Sequence, residues 1–200
     1  MSSKSYSFYK KNRKGKVIKL VKEKYLSSDL GYGSLHGRVL SESNLIDLAS
    51  SSLNSHVLIV DTNICLHDID VLEFQFSKHP VIVILQTVLQ EIKNLNVACF
   101  RRILSLINDE NKHFVFYANE LSVDTHTERI DSESSNDFND RQIRESALYF
   151  NSFLSTSKTA VSTGITTILI SNDKDNKVLS LNECDENICL IHCSFVVSLA

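Results

Sequence analysis

The 200-residue sequence predicts an α/β domain built on a mainly parallel central sheet flanked by helices. Three observations carry that prediction. Short β-branched runs recur from residue 56 onward, they are continuously apolar rather than alternating, and segments with helical spacing lie between them. A continuous apolar run suits a strand buried on both faces, and strands alternating with helices imply parallel pairing. With 42% hydrophobic and 22% charged residues a full core can form, and wholesale disorder is excluded. One proline (Pro80) and five glycines argue against a hairpin-rich all-β fold. No run approaches the roughly 18 apolar residues of a membrane span, and the polar start has no apolar stretch of a secretory signal behind it. The five cysteines, an odd number in apolar or strand-like contexts, read as reduced thiols of an intracellular protein.

Residues 1–25 hold eight lysines and Arg13 against a single acid, Glu23. Their balance of +8 leaves −11 on the remainder, within a net charge of −3. A basic arm on an acidic body suits a phosphate-binding surface beside a site that collects carboxylates. The alternating stretch 16–21 reads as one strand or a helical turn, and residues 27–55, rich in serine and glycine, read as a connector. The expected division is a basic N-terminal extension with a Ser/Gly-rich linker over 1–55 and a folded domain over 56–200.

Within that domain, strands are expected at 56–60, 81–85, 113–117, 165–170 and 188–191. Thr87 to Gln90 has the form of a capping box, and Val88, Leu89, Ile92 and Leu95 follow at helical spacing. That helix should weaken near Asn94–Asn96 and give way to another over 98–107. Residues 130–140 read as an acidic loop opening, at Asp140, a helix over 140–155 with Ile143, Ala147, Phe150 and Leu154 on one face. Phe114, Phe116 and Tyr117 belong to the core rather than to a base-stacking surface.

In parallel α/β sheets, ligands bind beyond the carboxyl ends of the strands. Here those ends deliver acids: Asp61 follows the first strand, Glu91 lies one turn into the helix after the second, Asp140 opens the last long helix, and Asp173 follows the fourth strand. Each has an ordinary structural use as a cap, a turn residue or a solvated helix position. Together they repel one another unless a cation intervenes. An all-oxygen set suits Mg²⁺ or Mn²⁺, one or two ions, and the attending chemistry is water activation at a phosphodiester. The Cys184, Cys189, His192 and Cys193 group has zinc-type donors at irregular spacing and reads as core thiols. Lys10, Lys11, Arg13, Lys14 and Lys16 supply non-specific, salt-dependent attraction for phosphates. A phosphoacceptor receiver-like domain is excluded, because Ala118-Asn119 after the third strand offers no acceptor aspartate.

Asp61-Thr62-Asn63, the strand-linked Glu91, Asn139-Asp140-Arg141 and Asn172-Asp173 resemble the four acidic motifs of PIN-domain ribonucleases. Longer strings, Val60 to Glu73, Leu85 to Glu91 and Asn136 to Arg141, resemble the PIN domain of the catalytic subunit of the eukaryotic RNA exosome, over about residues 8–200. The resemblance implies Mn²⁺- or Mg²⁺-dependent endonucleolytic cleavage of single-stranded RNA. It makes Asp61, Glu91, Asp140 and Asp173 the catalytic, metal-holding carboxylates, with Thr62, Asn63, Asn172 and Asp137 in support. It implies exosome core subunits as partners and a nuclear or nucleolar location, with the cytoplasm as a second. Gly31 to Gly37 lacks the three cysteines found there in the family, which weakens the expected docking to that core. The alternative is a non-catalytic module that tethers an exonuclease to the exosome core. Members continue into cold-shock-like, exonuclease and S1 domains, so exonuclease chemistry is not expected on these residues.

Overall fold

Five parallel strands form the frame of the molecule. β5 (His56–Val60), β6 (Val81–Leu85), β7 (Phe114–Tyr117), β8 (Thr166–Ile170) and β9 (Cys189–Ile191) stand in the order β7-β6-β5-β8-β9. The computed structural model describes residues 2–28, 32–33, 39–40, 45–47, 49, 56–74, 80–157, 161–162, 164–172 and 189–191. Every residue of β6 is buried, which is why its sequence is an unbroken Val/Ile/Leu run. Helices α1 (Thr62–His67), α2 (Ile69–Glu73), α3 (Gln86–Leu95), α4 (Val97–Asn108) and α5 (Ser135–Thr156) connect and cover these strands. Among the described residues no helix is long and apolar enough to cross a membrane.

The core lies between sheet and helices. Ile143, Ala147, Phe150 and Leu154 of α5 are each at most 2% exposed, as their spacing predicts. Phe150 meets Tyr117 edge-on with ring centroids 5.2 Å apart, so the strand aromatics pack in the core. Phe114 is likewise buried and Phe116 packs against the same cluster. Burial pushes the Tyr117 phenol up to about 12, against the hydrogen bonds from Ser122 and Thr125 that pull it down.

Three helix boundaries are instructive. The break expected near Asn94–Asn96 is present: Asn96 Oδ1 accepts from the N–H groups of Ala98 (3.0 Å) and Cys99 (3.1 Å) and starts α4 afresh. The capping box at Thr87 is not formed. β6 runs straight into α3, Leu85 takes the N-cap position, and Thr87 is already the second helical residue. α5 also begins earlier than expected. Ser134 Oγ accepts from Asp137 N at 3.1 Å, so the acidic loop ends at Ser134 and Asp140 sits in the second turn, not at the helix opening. Serine caps and an acid in the first turn suit a helix start.

The basic segment is more ordered than one strand or turn. β1 (Ser2–Lys11) and β2 (Val17–Leu26) form an antiparallel hairpin of two ten-residue strands. Asn12 shapes its turn: Oδ1 accepts from Lys14 N (3.0 Å) and Lys16 N (2.9 Å), while Gly15 supplies φ +80°. Leu26 is buried at the hairpin base, and Ser27 exchanges backbone hydrogen bonds with Leu121 (3.0 Å) and Val123 (3.2 Å). Parts of the stretch read as a linker also pack. β3 (Tyr32–Gly33) pairs antiparallel with β7 and with β4 (Val39–Leu40), and Leu45, Ile46 and Ala49 join the core. Residues on both sides of position 55 therefore share one sheet and one core.

Candidate active site

The carboxyl ends of β5 and β8 are adjacent because Val60 and Ile170 are register partners. The ladder continues one step further, with Asp61 N donating to Ile170 O at 3.1 Å. The first residues past the two strands, Asp61 and Ser171, are thereby brought side by side. Ser171 Oγ donates to Asp61 Oδ2 at 2.6 Å. Asp61 is 2% exposed and also occupies the N-cap of α1, its Oδ1 accepting from Asn63 N at 3.4 Å. Its structural use as a cap and its placement at the strand edge coincide.

Thr62 reaches the other way. Its hydroxyl donates to Glu91 Oε2 at 2.7 Å, which couples the residue after Asp61 to the carboxylate on α3. The family resemblance implies that Thr62 or Asn63 supports Asp61 through hydrogen bonds; in the structure the Thr62 side chain serves Glu91, and Asn63 contributes its backbone N–H to Asp61. Asp140 is half-buried, two residues before Gln142, whose Oε1 lies 3.3 Å from Thr87 Oγ1 on α3. Asp137 is exposed in the first turn of α5. Asp173 lies outside the described residues, as do Cys184, His192 and Cys193. Lys10, Lys11, Arg13, Lys14 and Lys16 are exposed around the turn of the β1–β2 hairpin.

Two residues here escape sequence reading as site groups. Ser171 could have been found by symmetry, since it follows β8 as Asp61 follows β5. Asp68, at the joint between α1 and α2, accepts from Asn172 Nδ2 at 2.6 Å and carried no signal in the sequence. That bond turns the amide so that Asn172 Oδ1 is buried and has no hydrogen-bond partner among the described residues. Such an orphaned oxygen is expensive to leave without a donor or cation. Among the described residues no three His, Cys, Asp or Glu side chains stand close enough to share an ion. The oxygen donors present, the Asp61 and Glu91 carboxylates and Asn172 Oδ1, nonetheless have the hard chemistry that fits Mg²⁺ or Mn²⁺.

The electrostatic setting separates these acids from those paired with arginines. Arg141 forks onto Glu133 (2.8 and 2.7 Å) and donates to Glu128 O at 2.8 Å, pinning the loop before α5. The fork draws the Glu133 carboxyl down to about 2. Arg102 likewise bonds Asp70 and Glu73. Ser171 and Thr62, by contrast, hold their acids with neutral hydroxyls, which order a carboxylate without cancelling its charge. Cys65 lies one turn behind Asp61, wholly buried; burial, Cys99 and Asp61 all push its thiol up, so it is no nucleophile.

The model of the PIN domain family matches residues 58–183. The chain belongs to the PIN-domain family. This PIN domain is 38% identical over 191 residues to the mouse exosome complex exonuclease RRP44, covering 90% of the chain and 19% of the relative. It is 35% identical over 187 residues to the exosome complex exonuclease dis3 of Schizosaccharomyces pombe, covering 85% of the chain and 18% of that relative. The chain therefore spans about a fifth of the length of the curated relatives it matches. The solved structure of the T. brucei RRP44 PIN domain superposes with a TM-score of 0.66 at 25% identity, covering 86% of this chain and 92% of that one.

Proposed function

We propose that this PIN domain is a metal-dependent endoribonuclease module that cleaves single-stranded RNA in exosome-type processing and decay. The observation that carries the reading is the buried Asp61 at the junction of β5 and β8, fastened by Ser171 and coupled through Thr62 to Glu91. Asp61, Glu91, Asp140 and Asp173 would hold one or two Mn²⁺ or Mg²⁺ ions, and Asn172 Oδ1 would add a neutral oxygen. A bound ion supplies water activation and offsets the charge of the phosphodiester. Ser171 and Thr62 fix the carboxylate rotamers before any ligand arrives, which lowers the reorganisation the reaction needs. The hairpin lysines Lys10, Lys11, Lys14 and Lys16, with Arg13, draw the RNA backbone toward an otherwise acidic body.

A second reading is a docking module that tethers an exonuclease to the exosome core. One observation favours it: Tyr9, Val17, Val21 and Tyr25 lie on one face of the hairpin, each more than half exposed. Cleavage of a circular single-stranded RNA decides between the two. Circles have no ends, so linearisation in Mn²⁺ or Mg²⁺ that EDTA abolishes, and that Asp61→Asn and Asp173→Asn both lose, establishes the endonuclease. Folded wild-type protein that leaves circles intact in every metal refutes it and moves the tethering role to first place.

A further inference from the structure

Helix α3 carries Glu91, yet its own sequence gives it no cap. Leu85 stands at the N-cap, and an aliphatic side chain cannot accept the free N–H groups of a first turn. The missing acceptor comes from the far end of β7. Asn119 Oδ1 takes the Thr87 N–H at 3.2 Å, and Asn119 Nδ2 donates to Thr87 Oγ1 at 2.9 Å. The Thr87 hydroxyl lies 3.3 Å from both Asn119 Oδ1 and Gln142 Oε1 on α5, and with Nδ2 already donating to it and Oδ1 taken by the Thr87 N–H, its proton serves Gln142 best.

All three residues are buried, Asn119 completely. Asn119 is also held by its backbone: its N–H bonds Tyr117 O at 3.0 Å and its carbonyl accepts from Thr125 Oγ1 at 2.8 Å. A buried residue held by its backbone on both sides and by its amide at Thr87 has one orientation, and so have the groups it binds. Those groups have telling addresses. Glu91 lies one turn beyond Thr87 on α3, and Asp140 lies two residues before Gln142 on α5.

We infer that Asn119 is a positioning residue of the cleavage site: it caps α3 from outside the helix and, through Thr87 and Gln142, sets the separation of Glu91 from Asp140. The inference rests on the reading of those carboxylates as cation-holding. A cap that served stability alone would need just the bond to Thr87 N. The added link from Thr87 to α5 is what converts a helix cap into a clamp between two acid-bearing helices.

The test uses the full chain, with Mn²⁺ as the calorimetric probe and amide exchange measured metal-free. Asn119→Ala should speed exchange over residues 86–91 at least tenfold, leave α4 unchanged, and weaken Mn²⁺ binding by tenfold or more. Asn119→Asp keeps the acceptor for the Thr87 N–H but loses the Nδ2 donor to its hydroxyl, so it should restore slow exchange over 86–91 while Mn²⁺ binding stays weakened. Thr87→Val retains the backbone N–H and loses the hydroxyl, so it should weaken Mn²⁺ binding while exchange over 86–91 stays close to wild type. It also stands in should Asn119→Ala fail to fold. Ile103→Ala, a core cavity in α4 at position 0% exposed, is the stability control and should leave the Mn²⁺ affinity of the folded protein unchanged. Wild-type Mn²⁺ affinity in Asn119→Ala or Thr87→Val, or equal loss in Ile103→Ala, overturns the clamp. If the wild-type chain binds no Mn²⁺ the carboxylate reading fails by itself, and unchanged exchange over 86–91 in Asn119→Ala then overturns the cap as well.

Discussion

Replacing Thr62 by valine isolates the bond between the Asp61 strand end and Glu91. The two side chains are isosteric and share β-branching, so the change opens no cavity and alters helix propensity little. What disappears is the 2.7 Å hydroxyl bond to Glu91 Oε2 from a residue 5% exposed. A hydrogen bond to a charged group contributes about 1.5–3 kcal/mol. Glu91 is half-buried, so water replaces part of that, and a loss of about 1–2 kcal/mol follows. If the bond holds Glu91 in its working rotamer, this corresponds to roughly 5- to 30-fold slower single-turnover cleavage at saturating Mn²⁺. Thr62→Ser is the converse. It keeps the hydroxyl and loses one buried methyl, so it should cut at nearly the wild-type rate while unfolding about 1 kcal/mol more easily. Paired urea melts and single-turnover cleavage of the same preparations give both numbers. Thr62→Val cutting within twofold of wild type, or Thr62→Ser failing as badly as Thr62→Val, refutes the argument.

Ser171→Ala strips Asp61 of its shortest partner and leaves a 2%-exposed carboxylate short of a donor. The variant should be destabilised by about 1–3 kcal/mol, and millimolar Mn²⁺ should raise its melting temperature more than that of the wild type, because the ion replaces a lost neighbour. Arg141→Met should return the Glu133 carboxyl from about 2 toward its ordinary 4.5, as followed by NMR titration. With the folded-state value depressed, Glu133 contributes stability that is complete above the ordinary carboxylate range and is lost as pH falls from about 4.5 through 2. That part of the acid limb should therefore vanish in the variant. Cys65 and Cys99, both buried with raised thiol values, should resist iodoacetamide in the native protein and react fully in urea.

The frame of the fold was legible because its signals are local. The unbroken apolar runs at 56–60 and 81–85, the break at Asn96 and the Phe150 face of α5 each follow from residues within one or two turns. The misplaced features depend on distant partners. Thr87 looks like a cap in sequence, but the strand ends at Leu85 and runs directly into the helix at Gln86, and the cap is Asn119, 32 residues from Thr87. The hairpin was hidden because its strands mix lysine, serine and apolar residues without a clean alternation, and Tyr9, Val17, Val21 and Tyr25 are largely exposed. The start of α5 moved because Ser134 outcompetes Asp140 as a cap once Asp137 N is within reach.

The site shows the same division more sharply. Residue type alone could place Asp61 and Glu91 near a strand edge, but it gives Glu73, Asp70 and Glu133 equal standing as acids. What separates them is the partner each finds. Arg102 takes Asp70 and Glu73 and Arg141 takes Glu133, and a guanidinium partner satisfies the charge and leaves little field. Ser171 and Thr62 take Asp61 and Glu91 with hydroxyl donors, which fix geometry and preserve negative potential. Burying an ionised carboxylate is costly, and a bound cation offsets that cost, so such a position suits a cation site. Exchanging the two kinds of partner tests this. Ser171→Lys would neutralise Asp61 internally, and the protein should then fold at least as stably as Ser171→Ala but lose its thermal response to Mn²⁺. A Ser171→Lys variant that is still stabilised by Mn²⁺ as strongly as the wild type would show that Asp61 is not where the ion binds.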